Sequence, residues 1–159
     1  MEKTFELKMF KIGLFGADCK YKLSETDDDG TVTENEFHVK VSRPIHPDLT
    51  GLFEKDLRDI LANIIGTTDD ISAIELGNST ITPTGIAFAG KNENIGISIF
   101  GERQTKFGRI VFKTPRIKYK TSESDVAAKL TVFADQIVNE AHEYLFENKT
   151  AEMTVFGGE

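Results

Sequence analysis

Hydrophobic and polar positions alternate with period two through the N-terminal part of the chain. Phe5, Leu7 and Met9 are separated by Glu6 and Lys8, and Phe10, Ile12 and Leu14 continue the alternation on the opposite face. The pattern predicts a half-buried strand, and the change of face predicts a bulge or bend near Met9–Phe10. Tyr21 and Leu23 alternate with Lys20 and Lys22, and Phe37, Val39 and Val41 with His38 and Lys40. The acidic run from Glu25 to Glu36 lies between them, so the simplest arrangement is a long hairpin. Pro44 and Pro47 end the strand, and Asp48 is a candidate N-cap for a helix. Leu49, Leu52, Phe53, Leu57, Ile60, Leu61 and Ile64 then recur at three- and four-residue spacings on one face. Glu54, Lys55, Arg58 and Asp59 take the other face, and Gly66 is a natural C-terminal stop.

Residues 71–120 read as a β-meander. Its strands are Ile71–Leu76, closed by Gly77-Asn78-Ser79, and Ile81–Ala89, closed by residues 90–94. Next comes a strand in which Ile95, Ile97 and Ile99 alternate with Gly96, Ser98 and Phe100. A turn at Glu102–Lys106 leads into Phe107–Lys113. Pro115 belongs at an edge or a bulge, because it has no N–H for a ladder. Ser122 with Asp125 opens a long helix whose buried stripe is Val126, Leu130, Phe133, Ile137, Ala141, Tyr144 and Leu145, ending near Asn148. The expected fold is α+β: an antiparallel β-meander sheet with an N-terminal hairpin and two amphipathic helices packed on one face. Residues 1–150 form a single domain and 151–159 a short C-terminal tail.

The composition is that of an ordinary globular chain: 159 residues, 39% hydrophobic, with a formal charge of -7. Wholesale disorder is excluded. No apolar run approaches the length of a membrane span, and the N-terminus has no signal-peptide core, so the expected place is the cytoplasm, with no membrane partner. The lone Cys19 excludes a disulfide framework within the chain and any multi-cysteine metal site. His38, His46 and His142 show no metal-pair spacing, and no phosphate loop, nucleophile elbow or dinucleotide fingerprint is present. The sequence therefore carries no catalytic signature and calls for no cofactor. An enzyme would need a site assembled from dispersed residues.

One segment departs from the average. Residues 103–120 contain Arg103, Lys106, Arg109, Lys113, Arg116, Lys118 and Lys120 and no acid, a charge of +7 against -14 on the rest of the chain. Phe107, Phe112 and Tyr119 lie among the cations. Cations for phosphates and flat rings for bases are what a nucleic-acid strand requires. Phe112 and Tyr119 are the stacking candidates. Arg109 and Lys113 share one face of a strand, whereas Arg116, Lys118 and Lys120 share a face beyond Pro115. A bulge at Pro115 puts both sets on one surface; without it they face apart. The bland reading of the same cations is a solvated strand face that protects a sheet edge.

A second feature is the acidic stretch Glu25–Glu36. Laid over a twelve-residue calcium loop, it offers Asp27, Asp29 and the closing Glu36 as oxygen ligands, with Gly30 and Val32 also in place. Glu25 departs from the pattern at the first position. The flanking segments alternate like strands where a calcium loop has helices, and an acidic hairpin tip explains the same residues.

Two resemblances follow. The tail residues Met153, Val155 and Phe156, with Thr154 between them, resemble the peptide by which bacterial and phage replication proteins dock on the sliding clamp. Glu152 stands where that pattern prefers glutamine. The resemblance implies a clamp or other protein as a partner through Met153, Val155 and Phe156. The chain as a whole resembles small proteins encoded by phages and prophages, which implies a role in phage DNA metabolism or in countering a host system. The leading expectation is a non-enzymatic accessory protein that binds single-stranded DNA. The alternative is a protein-interaction or inhibitor module, self-assembly included, that uses the sheet edge and the tail.

Overall fold

The computed structural model describes residues 2–65, 81–121 and 123–149. Three N-terminal strands, β1 (Glu2–Ile12), β2 (Ala17–Thr26) and β3 (Val32–Val41), form consecutive hairpins. β1 shifts register between Leu7 and Met9, so the change of face falls at Lys8. Leu14 does not extend the strand. It is 89% exposed in the loop between β1 and β2, because the ladder closes at Ile12–Ala17. The β2–β3 turn is built on Asp27. The Asp27 backbone N–H donates to the Thr31 carbonyl (3.0 Å), and the Gly30 N–H donates to the Asp27 carbonyl (3.0 Å). Gly30 sits at φ 81°, where a side chain would be strained.

A helical segment follows, made of α1 (Pro47–Gly51), a π-helical stretch (Leu52–Leu57) and α2 (Arg58–Ile65). His46, not Asp48, is its N-cap. The His46 Nδ1 accepts the Asp48 N–H at 3.0 Å, and Pro47, whose φ is already helical, takes the first position. Gly66, the strand expected over Ile71–Leu76 and the turn Gly77-Asn78-Ser79 lie outside the described residues, as do Met153, Val155 and Phe156.

β4 (Ile81–Ala89), β5 (Gly96–Thr105) and β6 (Gly108–Lys113) continue the antiparallel sheet. β5 runs on to Thr105, past the turn expected from Glu102. Glu102 and Arg103 pair with Val111 and Ile110, so their polarity marks an edge hairpin and not a break. A two-residue strand, β7 (Ile117–Lys118), adds to β5 beyond β6. The long helix α3 (Asp125–Phe146) is capped by the Ser124 hydroxyl, which accepts the Ala127 N–H at 3.1 Å. It ends as Asn148 turns left-handed (φ 57°).

The fold is α+β: the described residues form a seven-stranded antiparallel sheet in the order β3-β2-β1-β4-β5-β6, with β7 also on β5, and helices on one face. Leu7, Phe10, Cys19, Ile86, Ile97 and Ile99 meet Leu49, Phe53, Leu57, Leu61, Leu130, Phe133 and Ile137 in one core. Phe10 lies 6.0 Å from Phe53 and 6.1 Å from Tyr144, ring centre to ring centre. At the far end Lys149 binds Asp48, Glu140 and Glu143, tying the end of α3 to the start of α1. No helix among the described residues is long and apolar enough to cross a membrane.

Candidate nucleic-acid interface

The site follows from one step in register at the sheet edge. β6 pairs with β5 so that Phe100 faces Lys113, and β7 pairs with the same strand so that Ile97 faces Ile117. Two residues of β5 thus span the same gap as Thr114, Pro115 and Arg116. The extra residue is a bulge, and it reverses the alternation of side chains. Thr114 fastens it: its N–H donates to the Ile99 carbonyl, and its hydroxyl accepts the Ile99 N–H, both at 2.9 Å. Pro115 sits where no ladder donor is needed.

Directly paired residues share a face, so the register assigns every side chain. Phe112 and Ile117 point to the helices. Arg109, Lys113, Arg116 and Lys118 all lie on the opposite face, which no helix covers among the described residues. One row there crosses the sheet as Lys40, Asp18, Lys11, Gly85, Phe100 and Lys113. The neighbouring row holds His38, Lys20, Met9, Ala87 and Ser98.

The rows place an aromatic ring among cations. Lys11 Nζ stands 4.1 Å from the Phe100 ring centre, and Lys113 Nζ 5.2 Å on its other side. Gly85 permits this. A Cβ there would stand 2.7 Å from Lys11 Cγ and 2.8 Å from the Phe10 carbonyl, so only glycine lets the lysine cross β4 to the ring. Arg116 likewise lies flat over Gly96 and reaches toward Gly90. Lys118 Nζ donates to Asn94 Oδ1 at 3.4 Å.

Three carboxylates on this face are matched with other groups. Glu6 binds Lys8 (2.9 Å) and Lys22 (3.3 Å), Asp18 binds His38 (2.6 Å), and Glu102 binds Arg109 (3.4 Å). The hydrogen bond from Lys8, ahead of that from Lys22, holds the Glu6 carboxyl below its ordinary pKa. Lys11, Lys20, Lys113, Arg116 and Lys118 form no ion pair among the described residues. Their charge is available to a ligand.

The expected site is only partly assembled. Phe112 is not a stacking platform: its ring lies over Gly101 beside Leu61, on the helix side. Tyr119 is 7% exposed within the core, and burial raises the pKa of its hydroxyl. Arg103 pairs with Ile81 and Ile110 on the helix side. Lys106 stands at the hairpin tip, 5.8 Å from the Phe107 ring. Lys120 lies past the last ladder pair and lines a cleft with Tyr119, Thr131 and Asp135. Sequence reasoning missed Phe100 and Lys11. The available signal was an aromatic residue on the polar side of the Ile95–Ile97–Ile99 alternation.

The calcium-loop candidate is not assembled either. Asp27 Oδ1 accepts the N–H groups of Asp29 (3.0 Å) and Thr31 (2.8 Å), closing the turn on itself. Glu36 is drawn away into β3, opposite Lys22. A strand register, not a helix-flanked loop, positions these carboxylates. Among the described residues no group of three or more acidic, histidine or cysteine side chains is arranged to hold a metal. Burial pushes the Cys19 thiol up to about 12, so it is a core side chain and not a nucleophile.

No protein-family model matches the chain, and neither does any curated protein or solved structure.

Proposed function

We propose that the uncovered face of the sheet binds a single-stranded nucleic acid, without catalysis. The observation that carries this reading is the bulge at Thr114–Arg116. It puts the cations before and after Pro115 on the face that bears Phe100. A phosphate backbone crossing the strands meets Lys20 and Lys11 on one side of the ring and Lys113, Arg116 and Lys118 on the other. The ammonium groups over Phe100 are on flexible stems, so they can move to phosphates as a base takes the ring face. Met9, Ala87, Ser98 and the glycines keep the track between them low. A single strand suits this surface better than a duplex, whose bases cannot reach a ring set in a sheet.

The test is fluorescence anisotropy of a labelled single-stranded oligonucleotide titrated with the full chain at several salt concentrations. Binding that weakens steeply with salt, and that falls on Lys113→Ala with Arg116→Ala, is the expected result. No binding at the lowest salt makes this an ordinary solvated face. A protein-partner reading draws instead on the loop tips, where Leu14, Phe15 and Phe107 are 89%, 79% and 93% exposed. Capture of a specific protein that is lost on Phe15→Ser would favour it.

A further inference from the structure

The two edges of the sheet are built differently. The β6–β7 edge is interrupted by the bulge and by Pro115. The β3 edge runs ten residues without a proline or a register shift against β2, and among the described residues its other side carries no strand. Long regular edges invite pairing unless something blocks them. The charged side chains of β3 do not block it, because they stand on the uncovered face and not in the sheet plane.

The hydrogen-bond phase of β3 is fixed by its turn. Asp27 and Thr31 are a bonded pair, so by alternation Thr33, Asn35, Phe37, Val39 and Val41 direct their peptide groups to β2. Glu34, Glu36, His38 and Lys40 direct theirs to the free edge.

We infer that two copies of this chain pair antiparallel through the free edges of β3, with the two-fold axis at Phe37. In that register Glu36 faces His38 of the second copy, and Glu34 faces Lys40 of the second copy, each twice by symmetry. Among the described residues no strand bonds these peptide groups on that side, so the ladder forms without rearrangement. Every charged residue then faces one of opposite or neutral character. Moving the axis by one residue sets Glu36 against Glu36 or His38 against His38. On the helix side the axis joins two Phe37 rings in a non-bonded pair, where side chains come closest. Each ring is 39% exposed in the single chain and already stacks on Tyr21 at 5.1 Å. Phe146, 45% exposed and 5.4 Å from Tyr21, extends the apolar patch that the second copy covers.

Sedimentation velocity of the full chain over a concentration series tests this, with a concentration-dependent dimer expected. Glu36→Pro removes an N–H directed to the free edge and none of the bonds to β2, so it should give a monomer with an unchanged far-UV circular dichroism spectrum. Glu34→Lys should weaken the dimer roughly tenfold through the lost and reversed cross-strand pairs. Adding Lys40→Glu to it should restore the affinity, an outcome independent of any folding effect of the proline. A monomer throughout the series overturns the inference. So does a dimer that survives Glu36→Pro and is indifferent to Glu34→Lys.

Discussion

Salt dependence separates the roles of the ring and the cations. Of the cations on the uncovered face without an ion pair among the described residues, five lie along the proposed track beside Phe100: Lys11, Lys20, Lys113, Arg116 and Lys118. For a single strand each phosphate contact contributes about -0.7 to the slope of log affinity against log salt, so five contacts give about -3.5. Raising salt from about 50 to about 200 mM then weakens binding roughly a hundredfold. Lys113→Ala with Arg116→Ala removes two contacts and brings the slope to about -2.1. Phe100→Ala removes one stacked base, a loss of about 1–3 kcal/mol or roughly 5- to 160-fold in affinity, with the slope unchanged. The assay is the anisotropy titration, repeated at four or more salt concentrations for each variant. If the double variant keeps the wild-type slope while binding persists, the phosphates are bound elsewhere. If Phe100→Ala alters the slope and not the affinity at a given salt, the ring is not the base platform.

Three further outcomes test the framework that holds the site. Gly85→Ala should destabilise the fold by about 1–3 kcal/mol in urea unfolding, because the new methyl meets backbone of β1 as well as the Lys11 side chain. Ser124→Ala removes the cap of α3 and should cost about 1 kcal/mol, read as a lower thermal midpoint. Lys149→Met should be destabilising at neutral pH and less so in acid. The Lys149 hydrogen bond holds the Asp48 carboxyl below its ordinary pKa, and a depressed carboxylate stabilises above its unfolded value and loses that contribution as pH falls through the folded one. The gap between wild type and variant should therefore narrow below about pH 4, and a gap constant with pH would exclude this linkage.

Local pattern alone determined a large part of the molecule. The β2–β3 hairpin follows from two alternating runs around an acidic turn. β4 has the predicted bounds, Ile81–Ala89. The stripe of α3 holds for Leu130, Phe133, Ile137, Ala141 and Tyr144, all buried. Here helical or strand period and burial are the same fact, so spacing predicts position. At the helix start the pattern was less decisive, since both His46 and Asp48 can accept a backbone N–H and the fixed φ of Pro47 selected the former.

The candidate site was decided by tertiary structure. The sequence supplied the cations and posed the question of Pro115, but only the pairing of both β6 and β7 with β5 counts the extra residue. That count sends Phe112 and Tyr119 to the helices and Lys113, Arg116 and Lys118 to the open face. Lys11 and Phe100 are eighty-nine positions apart in the chain. They meet because β1 and β5 flank β4 and because Gly85 between them has no side chain. Alternation along one strand fixes which residues share a face of that strand. Which face is covered, and what lies beside it, depends on hydrogen bonds to strands remote in sequence, and a single inserted residue reverses the answer.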